Sequence, residues 1–573
     1  MCVLSGAIKM KWGLAVLLST VGLPSLQLGV APIANAQEAP SMNAAQCVAL
    51  TGMTIPAAQI MLPTLGARIA KASIVAADPK GQSHPDYCLV VGEIASNDRS
   101  APSIEFNVGL PTTWNHKAFM LGGGGFDGFI PDVTGTPLNA EGGPTPLARG
   151  YAVFASDSGH KTSGPPLALD ATFALNREVF LNWEGDALKK THDAALAVIQ
   201  QAYGKRPEKA YFAGGSGGGR EALHVAARWP ADWDAVIAEY PARNGALLAL
   251  GALRNSQALA LPGAYPPPAK RALVFQAALE HCDGLDGVKD GIISNVRGCR
   301  TVFDPGKAKF HGVALRCLGG ADTGPTCLSD AELLTLRTID STSPLPFPFA
   351  TEDTSLPGLN VYTSDTGRPP TSLAQAATTI FAFGTVQPAT PMAPGMPFFS
   401  VIADEIVRYM VAQDPAFDPL KFDIEHPGRY STRLRELSLL DARDLAMGGF
   451  AKKGGKILIL QGTDDMEVSP RATEAYYAQL RQSLGEATVA KMIRFYEVPG
   501  FAHTVGSVFR ATWDPVSAIE GWVEHDTDPA DHLVVTDAIG VPGRTRPLCL
   551  YPNWPKYRSG DVNSAASFVC TLQ

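Results

Sequence analysis

The chain is 573 residues long, with 46% hydrophobic and 18% charged residues and a formal net charge of −8. That length exceeds a single ordinary core and calls for one large domain with a substantial insertion, or for two domains. A mildly acidic balance without a basic patch, heptads, repeats or a charged tail excludes nucleic-acid-binding and coiled-coil readings.

Residues 1–36 read as a secretory signal. Lys9 and Lys11 precede an apolar run from Trp12 to about Val30, and Ala34-Asn35-Ala36 offers a cleavage site before Gln37. Met10 can serve as the start, and Pro24 with the small-residue ending argues against an uncleaved anchor. No later stretch is long and apolar enough to span a bilayer, so the expectation is a secreted or periplasmic protein with no membrane association after cleavage. Losing the leader removes two lysines, taking the net charge from −8 to about −10, and removes Cys2. Eight cysteines remain: Cys47, Cys88, Cys282, Cys299, Cys317, Cys327, Cys549 and Cys570. An even number in an exported chain implies disulfides; neighbouring pairs are the simplest choice, but spacing alone does not fix the pairing.

The segment 37–243 is expected to form the first part of an α/β core. A largely apolar stretch from Ile69 to Ala76, the alternating Ile104–Val108 and the run Lys117–Leu121 read as strands, the last leading into Gly122-Gly123-Gly124-Gly125. Tyr151–Ser156 is a continuous apolar strand, and roughly Asn182–Tyr203 is helical in character. Tyr211-Phe212-Ala213 then enters Gly214-Gly215-Ser216-Gly217-Gly218-Gly219, and Arg220 onward has helical composition. This G-x-S-x-G turn between a strand and a helix is the pattern of a nucleophile elbow, in which a tight turn lifts a serine hydroxyl above a sheet. From about 244 to 446 the chain is rich in Pro, Gly and Thr with no clear strand rhythm, and is expected to be an inserted lid. Alternation returns in 447–573 with the strands Lys456–Gln461 and Met492–Val498, the second part of the core. Short buried strands alternating with helices predict a mostly parallel, doubly wound sheet covered on both faces, an α/β-hydrolase core.

A serine needs a base oriented by an acid, and in this arrangement both follow the nucleophile in loops after later strands. The first such loop holds Asp464 and Asp465, of which one can face an imidazole; the second holds His503, the expected base. The Gly217 N–H is expected to supply half of an oxyanion hole, a donor worth roughly 3–4 kcal/mol to a transition state. The run 122–125 follows an early strand, where the second donor normally arises, with Gly124 or Gly125 undecided. Within the insertion, Asp283, Asp286 and Asp290 are interspersed with Gly284, Gly287 and Gly291. Three carboxylates this close repel one another, and a glycine-rich loop can wrap Ca²⁺ with carboxylates and carbonyls, although the spacing is not that of an EF-hand. Phe381, Phe383, Phe398 and Phe399 are possible substrate walls and serve equally well as core of the insertion.

These features together resemble the tannase and feruloyl esterase family, including its mono(2-hydroxyethyl) terephthalate hydrolase-like members. The resemblance rests on Gly122–Gly128, Tyr151–His160, Tyr203-Gly204 before Gly214–Glu221, and the Asp283–Ile292 loop. It continues through Gly454-Gly455-Lys456, Val498-Pro499-Gly500, Trp522-Val523-Glu524 and Thr545–Cys549 to Cys570, nearly the whole length after the leader. It implies an α/β-hydrolase core with a large lid and a triad of Ser216, Asp465 and His503. It also implies a structural Ca²⁺ held by Asp283, Asp286 and Asp290 with the carbonyls of Val288 and Ile292. The implied disulfides are Cys47–Cys88, Cys282–Cys299, Cys317–Cys327 and Cys549–Cys570. Members of the family typically carry cysteines directly before the serine and directly after the histidine, joined beneath the triad; here those positions are Gly215 and Thr504. The expected activity is hydrolysis of esters of aromatic acids (feruloyl, galloyl or terephthaloyl) through an acyl-enzyme. The alternatives are a broad-specificity or hydroxyalkanoate esterase, and a non-catalytic calcium-dependent binding module. Small aromatic esters are the expected partners, nucleic acid is not, and the oligomeric state is not legible.

Overall fold

A strand that is apolar along its interior requires cover on both of its faces, and five central strands of this chain are apolar apart from residues near their ends. In the computed structural model, which describes residues 41–572 apart from 79–83, 142, 163–168, 346, 348, 369–381, 507 and 531, they form the middle of a ten-stranded sheet. The predicted signal at 1–36 and Phe381 lie outside the described residues.

The strands are β1 (Thr54–Ile55), β2 (Ala67–Val75), β3 (Tyr87–Ile94), β4 (Ile104–Pro111), β5 (Lys117–Leu121), β6 (Ala152–Ser156), β7 (Lys209–Gly215), β8 (Ala235–Glu239), β9 (Lys456–Gly462) and β10 (Ile493–Val498). Their spatial order is β1-β2-β3-β4-β6-β5-β7-β8-β9-β10. From β6 to β10 all pairings are parallel, whereas β1 to β4 form an antiparallel meander that joins β6 antiparallel. The chain order changes direction between β6, β5 and β7, and a parallel sheet opens its ligand crevice at such a reversal, beyond the carboxyl ends of the strands.

Alternate residues of each central strand serve different cores. Ala118, Met120, Ala210, Phe212, Ile457 and Ile459 pack on one face, with α1 (Ala187–Tyr203) and α2 (Gly217–Arg228). Phe119, Leu121, Tyr211, Ala213, Leu458 and Leu460 pack on the other, with Trp513 and Trp522. Helix α1 begins later than the expected Asn182, because Asn182–Asp186 forms a wider turn with Gly185 at φ 124°.

Between β8 and β9 the chain builds a third core. Helix α3 (Gly245–Ala260) packs on α4 (Phe398–Glu405), and Leu250, Leu253, Val274, Leu336, Phe399 and Val407 are buried together. That core also takes Phe126 and Trp183 from the first part of the chain, which seats the insertion over the carboxyl ends of β5 and β7. Four disulfides, Cys47–Cys88, Cys282–Cys299, Cys317–Cys327 and Cys549–Cys570, staple the structure in the pairing that the resemblance implied. No helix among the described residues is long and apolar enough to cross a membrane.

Candidate active site

Ser216 lies between β7 and α2 with φ 59° and ψ −120°, a backbone conformation that a side chain adopts only where its surroundings enforce it. The enforcement is visible. The Ser216 amide donates to the Glu239 carbonyl at 3.0 Å, and the Ser216 carbonyl accepts from Arg220 and Ala242 at 3.0 Å. The flanking glycines are sterically required. A Cβ at Gly214 would lie 2.5 Å from the Gly218 backbone, one at Gly218 2.5 Å from the Gly123 carbonyl oxygen, and one at Gly217 2.7 Å from that of Gly125. The four-glycine loop therefore rests directly on the first turn of α2.

That contact orders the loop. The Gly122 amide is committed to the Ala213 carbonyl at 2.9 Å, and the Gly123 amide to Glu221 Oε2 at 3.0 Å. Beneath them, burial and the charge of Asp127 push Glu221 well up, and burial pushes Asp127 up to about 6, with the Arg220 guanidinium opposing both shifts and the hydrogen bond to Glu221 opposing the second. Of the two residues left open by the sequence, Gly125 has φ 59°, and both Gly124 and Gly125 face the same cavity as Ser216 and Gly217.

The loop after β9 separates the adjacent aspartates. Asp465 is fully buried; its Oδ2 lies 2.9 Å from His503 Nδ1 and accepts from Gln461 Nε2 at 3.1 Å, while its Oδ1 accepts from the amides of Glu467 and Val468, each at 2.9 Å. Asp464 turns the other way. It accepts from Thr463 Oγ1 at 3.0 Å, and burial pushes it up to about 8, with nearby Asp365 adding to the effect. A carboxylate held by two amides and an amide side chain has one orientation left, facing the imidazole.

Sequence reasoning did not find Glu467. Its Oε2 lies 3.6 Å from His503 Nε2, on the side of the ring away from Asp465. Burial disfavours the imidazolium, but the charges of Asp465 and Glu467 outweigh it and push His503 up to about 9. Burial pushes Glu467 up to about 7, opposed by His503. Only its place two residues beyond Asp465 in a loop after a parallel strand could have drawn attention to it.

Ser216, Gly217, Gly124, Gly125, Glu467 and His503 line one cavity of about 500 Å³. Its inserted wall is made of Leu248, Phe398, Ile402 and Ile406, all uncharged, and Trp183 and Leu138 close the core side. Of the four phenylalanines singled out in the sequence, Phe398 faces the cavity, whereas Phe383 and Phe399 are buried in the inserted core.

Gly215 and Thr504 stand on either side of the serine and histidine. A Cβ at Gly215 would lie 2.7 Å from the Tyr240 ring and from Leu138, so the space beside it is already filled. Thr504 has φ 59°.

The aspartate loop lies apart from this cavity, pinned at its start by Cys282–Cys299. Asp283 accepts from the amides of Asp290 and Gly291 at 3.2 and 3.1 Å. Asp286 accepts from the Val288 amide at 3.1 Å, and its Oδ2 is buried without a partner. Asp290 accepts from the Ile292 amide at 3.0 Å and pairs with buried Arg546. Arg546 thus pairs with one carboxylate, while among the described residues no ion pair reaches Asp283 or Asp286. An orphaned carboxylate oxygen in an oxygen-rich turn fits a hard cation.

A family model described as tannase and feruloyl esterase matches residues 88–571. An uncharacterized esterase of Agrobacterium fabrum is 36% identical over 95% of this chain and 96% of its own length. The mono(2-hydroxyethyl) terephthalate hydrolase of Piscinibacter sakaiensis is 29% identical over 85% of each chain. Among solved structures, feruloyl esterase B from Aspergillus oryzae superposes with a TM-score of 0.71 at 20% identity, covering 92% of this chain and 99% of its own. Tannin acyl hydrolase from Aspergillus niger gives 0.65 at 18% identity, covering 93% and 96%. The fold is that α/β-hydrolase type.

Proposed function

The chain belongs to the tannase and feruloyl esterase family and is a carboxylic ester hydrolase, and from that premise we propose that Ser216, His503 and Asp465 carry out ester cleavage through an acyl-enzyme, on esters of aromatic acids. The observation that carries this reading is the convergence on one cavity of a serine in a strained backbone conformation and a histidine bonded at 2.9 Å to a buried aspartate.

His503 Nε2 takes the proton of the Ser216 hydroxyl as its Oγ bonds to the ester carbonyl carbon. The carbonyl π electrons move to oxygen, where the amides of Gly217 and of Gly124 or Gly125 stabilise the negative charge. Collapse restores the carbonyl and breaks the bond to the alcohol oxygen, which receives the proton from His503. Water then repeats the sequence on the acyl-serine, giving its proton to His503 and releasing the acid and Ser216. Asp465 holds Nδ1–H throughout, which leaves Nε2 as the acceptor. The apolar wall of Leu248, Phe398, Ile402 and Ile406 suits the flat face of an aromatic acyl group. Relatives named feruloyl esterase and mono(2-hydroxyethyl) terephthalate hydrolase support that substrate class.

Asp283, Asp286 and Asp290, with the carbonyls of Val288 and Ile292, would hold Ca²⁺ as a structural ion, contributing stability and no step of the reaction. The four disulfides support folding in an oxidising compartment, and with the leader at 1–36 we assign the protein to the periplasm or the exterior.

The test is hydrolysis of methyl ferulate, methyl gallate, mono(2-hydroxyethyl) terephthalate and p-nitrophenyl acetate and butyrate, with Ser216→Ala alongside. Turnover of an aromatic-acid ester that vanishes in the variant is expected. Activity confined to the p-nitrophenyl esters would contradict the substrate class, and full activity of the variant would contradict the nucleophile.

A further inference from the structure

Tyr240 is placed where a bulky residue is costly. It follows β8 directly, between the Glu239 carbonyl and the Ala242 amide that hold the Ser216 backbone, and its φ is 33°. Its side chain is fully buried. The ring packs against His503 with centroids 4.6 Å apart, and its hydroxyl donates to Asn139 Oδ1 at 2.7 Å. Asn139 is buried as well, with φ 58°. Its side-chain amide donates to the Ala511 carbonyl at 3.0 Å and, more weakly, to that of Thr504 at 3.4 Å, and its main-chain carbonyl accepts from the Trp513 amide at 2.9 Å. The chain of bonds thus runs from the residue that follows the strand supporting the elbow to Thr504, next to His503, and to Ala511 and Trp513 further along the same segment.

We propose that Tyr240 and Asn139 form a hydrogen-bonded clamp that positions the His503 imidazole over Ser216. Both are positioning residues, because neither lines the cavity. Burial, together with the charges of Glu239 and Asp465, pushes the Tyr240 phenol well up, so it stays a donor across the working range. The clamp and a side chain at position 215 exclude each other, since a Cβ there would meet the Tyr240 ring at 2.7 Å. Glycine at 215 and tyrosine at 240 are therefore one device, a non-covalent tie across the gap between Gly215 and Thr504. The inference rests on His503 being the base.

The test compares wild type, Tyr240→Phe, Asn139→Gly and the double variant in kcat and KM for p-nitrophenyl acetate, with Ser216→Ala as control. Phenylalanine keeps the ring and removes the hydroxyl, and glycine tolerates the positive φ. Each single variant is expected to lose roughly tenfold in kcat with KM nearly unchanged, the signature of a displaced base. The double variant is expected to lose no more than the worse single one, because both cut the same chain. Wild-type kcat in Tyr240→Phe, or a fall in which the single losses multiply, would overturn the clamp. If the glycine variant does not fold, the kcat of Tyr240→Phe decides alone. An active Ser216→Ala would instead overturn the catalytic assignment, so the two failures are distinguishable.

Discussion

His503 faces a carboxylate at each ring nitrogen, and the sum of those charges sets the pH at which it can act as a base. In the proposed mechanism its neutral form accepts the serine proton, and Asp465 and Glu467 hold it protonated up to about 9. The acid limb of kcat/KM is therefore expected well above the ordinary histidine value near 6.5. Removing the Glu467 charge lowers the folded-state value, so Glu467→Gln should move that limb toward acid by on the order of one unit. A pH profile of kcat/KM for both proteins checks this, and coincident limbs would refute it. Ser216 and His503 were legible from motif and strand order alone. The choice of Asp465 over Asp464 came from the family resemblance, because adjacent residues differ only in the direction they point, which hydrogen bonds from Glu467, Val468 and Gln461 decide. Glu467 and Tyr240 were not legible: a lone glutamate in a loop and a tyrosine after a strand have ordinary surface or core roles in most sequences.

At the scale of elements, the elbow and the glycine loop form one interlocked unit, with Gly217 and Gly218 against Gly123 and Gly125. Gly218→Ala would place a methyl group 2.5 Å from the Gly123 carbonyl oxygen, in the loop proposed to supply an oxyanion donor. The expected result is a loss of activity of about 100-fold or more with a measurable fall in melting temperature. Near-wild-type kcat would show that the loop is more yielding than its packing implies. The strands at 117–121 and 456–462 were read almost residue for residue, since runs buried on both faces leave a continuous apolar signal. Tyr87–Ile94 and Ala235–Glu239 escaped notice, the first behind a cysteine and a glycine, the second because five residues with two alanines give little pattern. The helices of the insertion were hidden for another reason. Helix α3 is covered along much of its surface by α4 and neighbouring helices, so no polar stripe marks its period.

For the whole molecule, stability is divided between the sheet cores and an insertion that is stapled internally by two of the four disulfides and tied to the later part of the core by the Asp290–Arg546 pair of the aspartate loop. A cation that binds only the folded loop stabilises by mass action. Excess EGTA is expected to lower the melting temperature by several degrees, and Ca²⁺ to restore it, with kcat little changed below the transition. An unchanged melting temperature in a protein shown by elemental analysis to have carried calcium would remove the structural role. The mechanism proposed for Ser216, which lines an apolar cavity under that insertion, passes through one covalent species. Mass spectrometry of the peptide bearing Ser216, quenched in acid during turnover of p-nitrophenyl butyrate, measures it directly. The account predicts a butyryl adduct on Ser216 that is absent from Ser216→Ala; hydrolysis that persists in the variant, with no adduct at Ser216 in wild type, would contradict it.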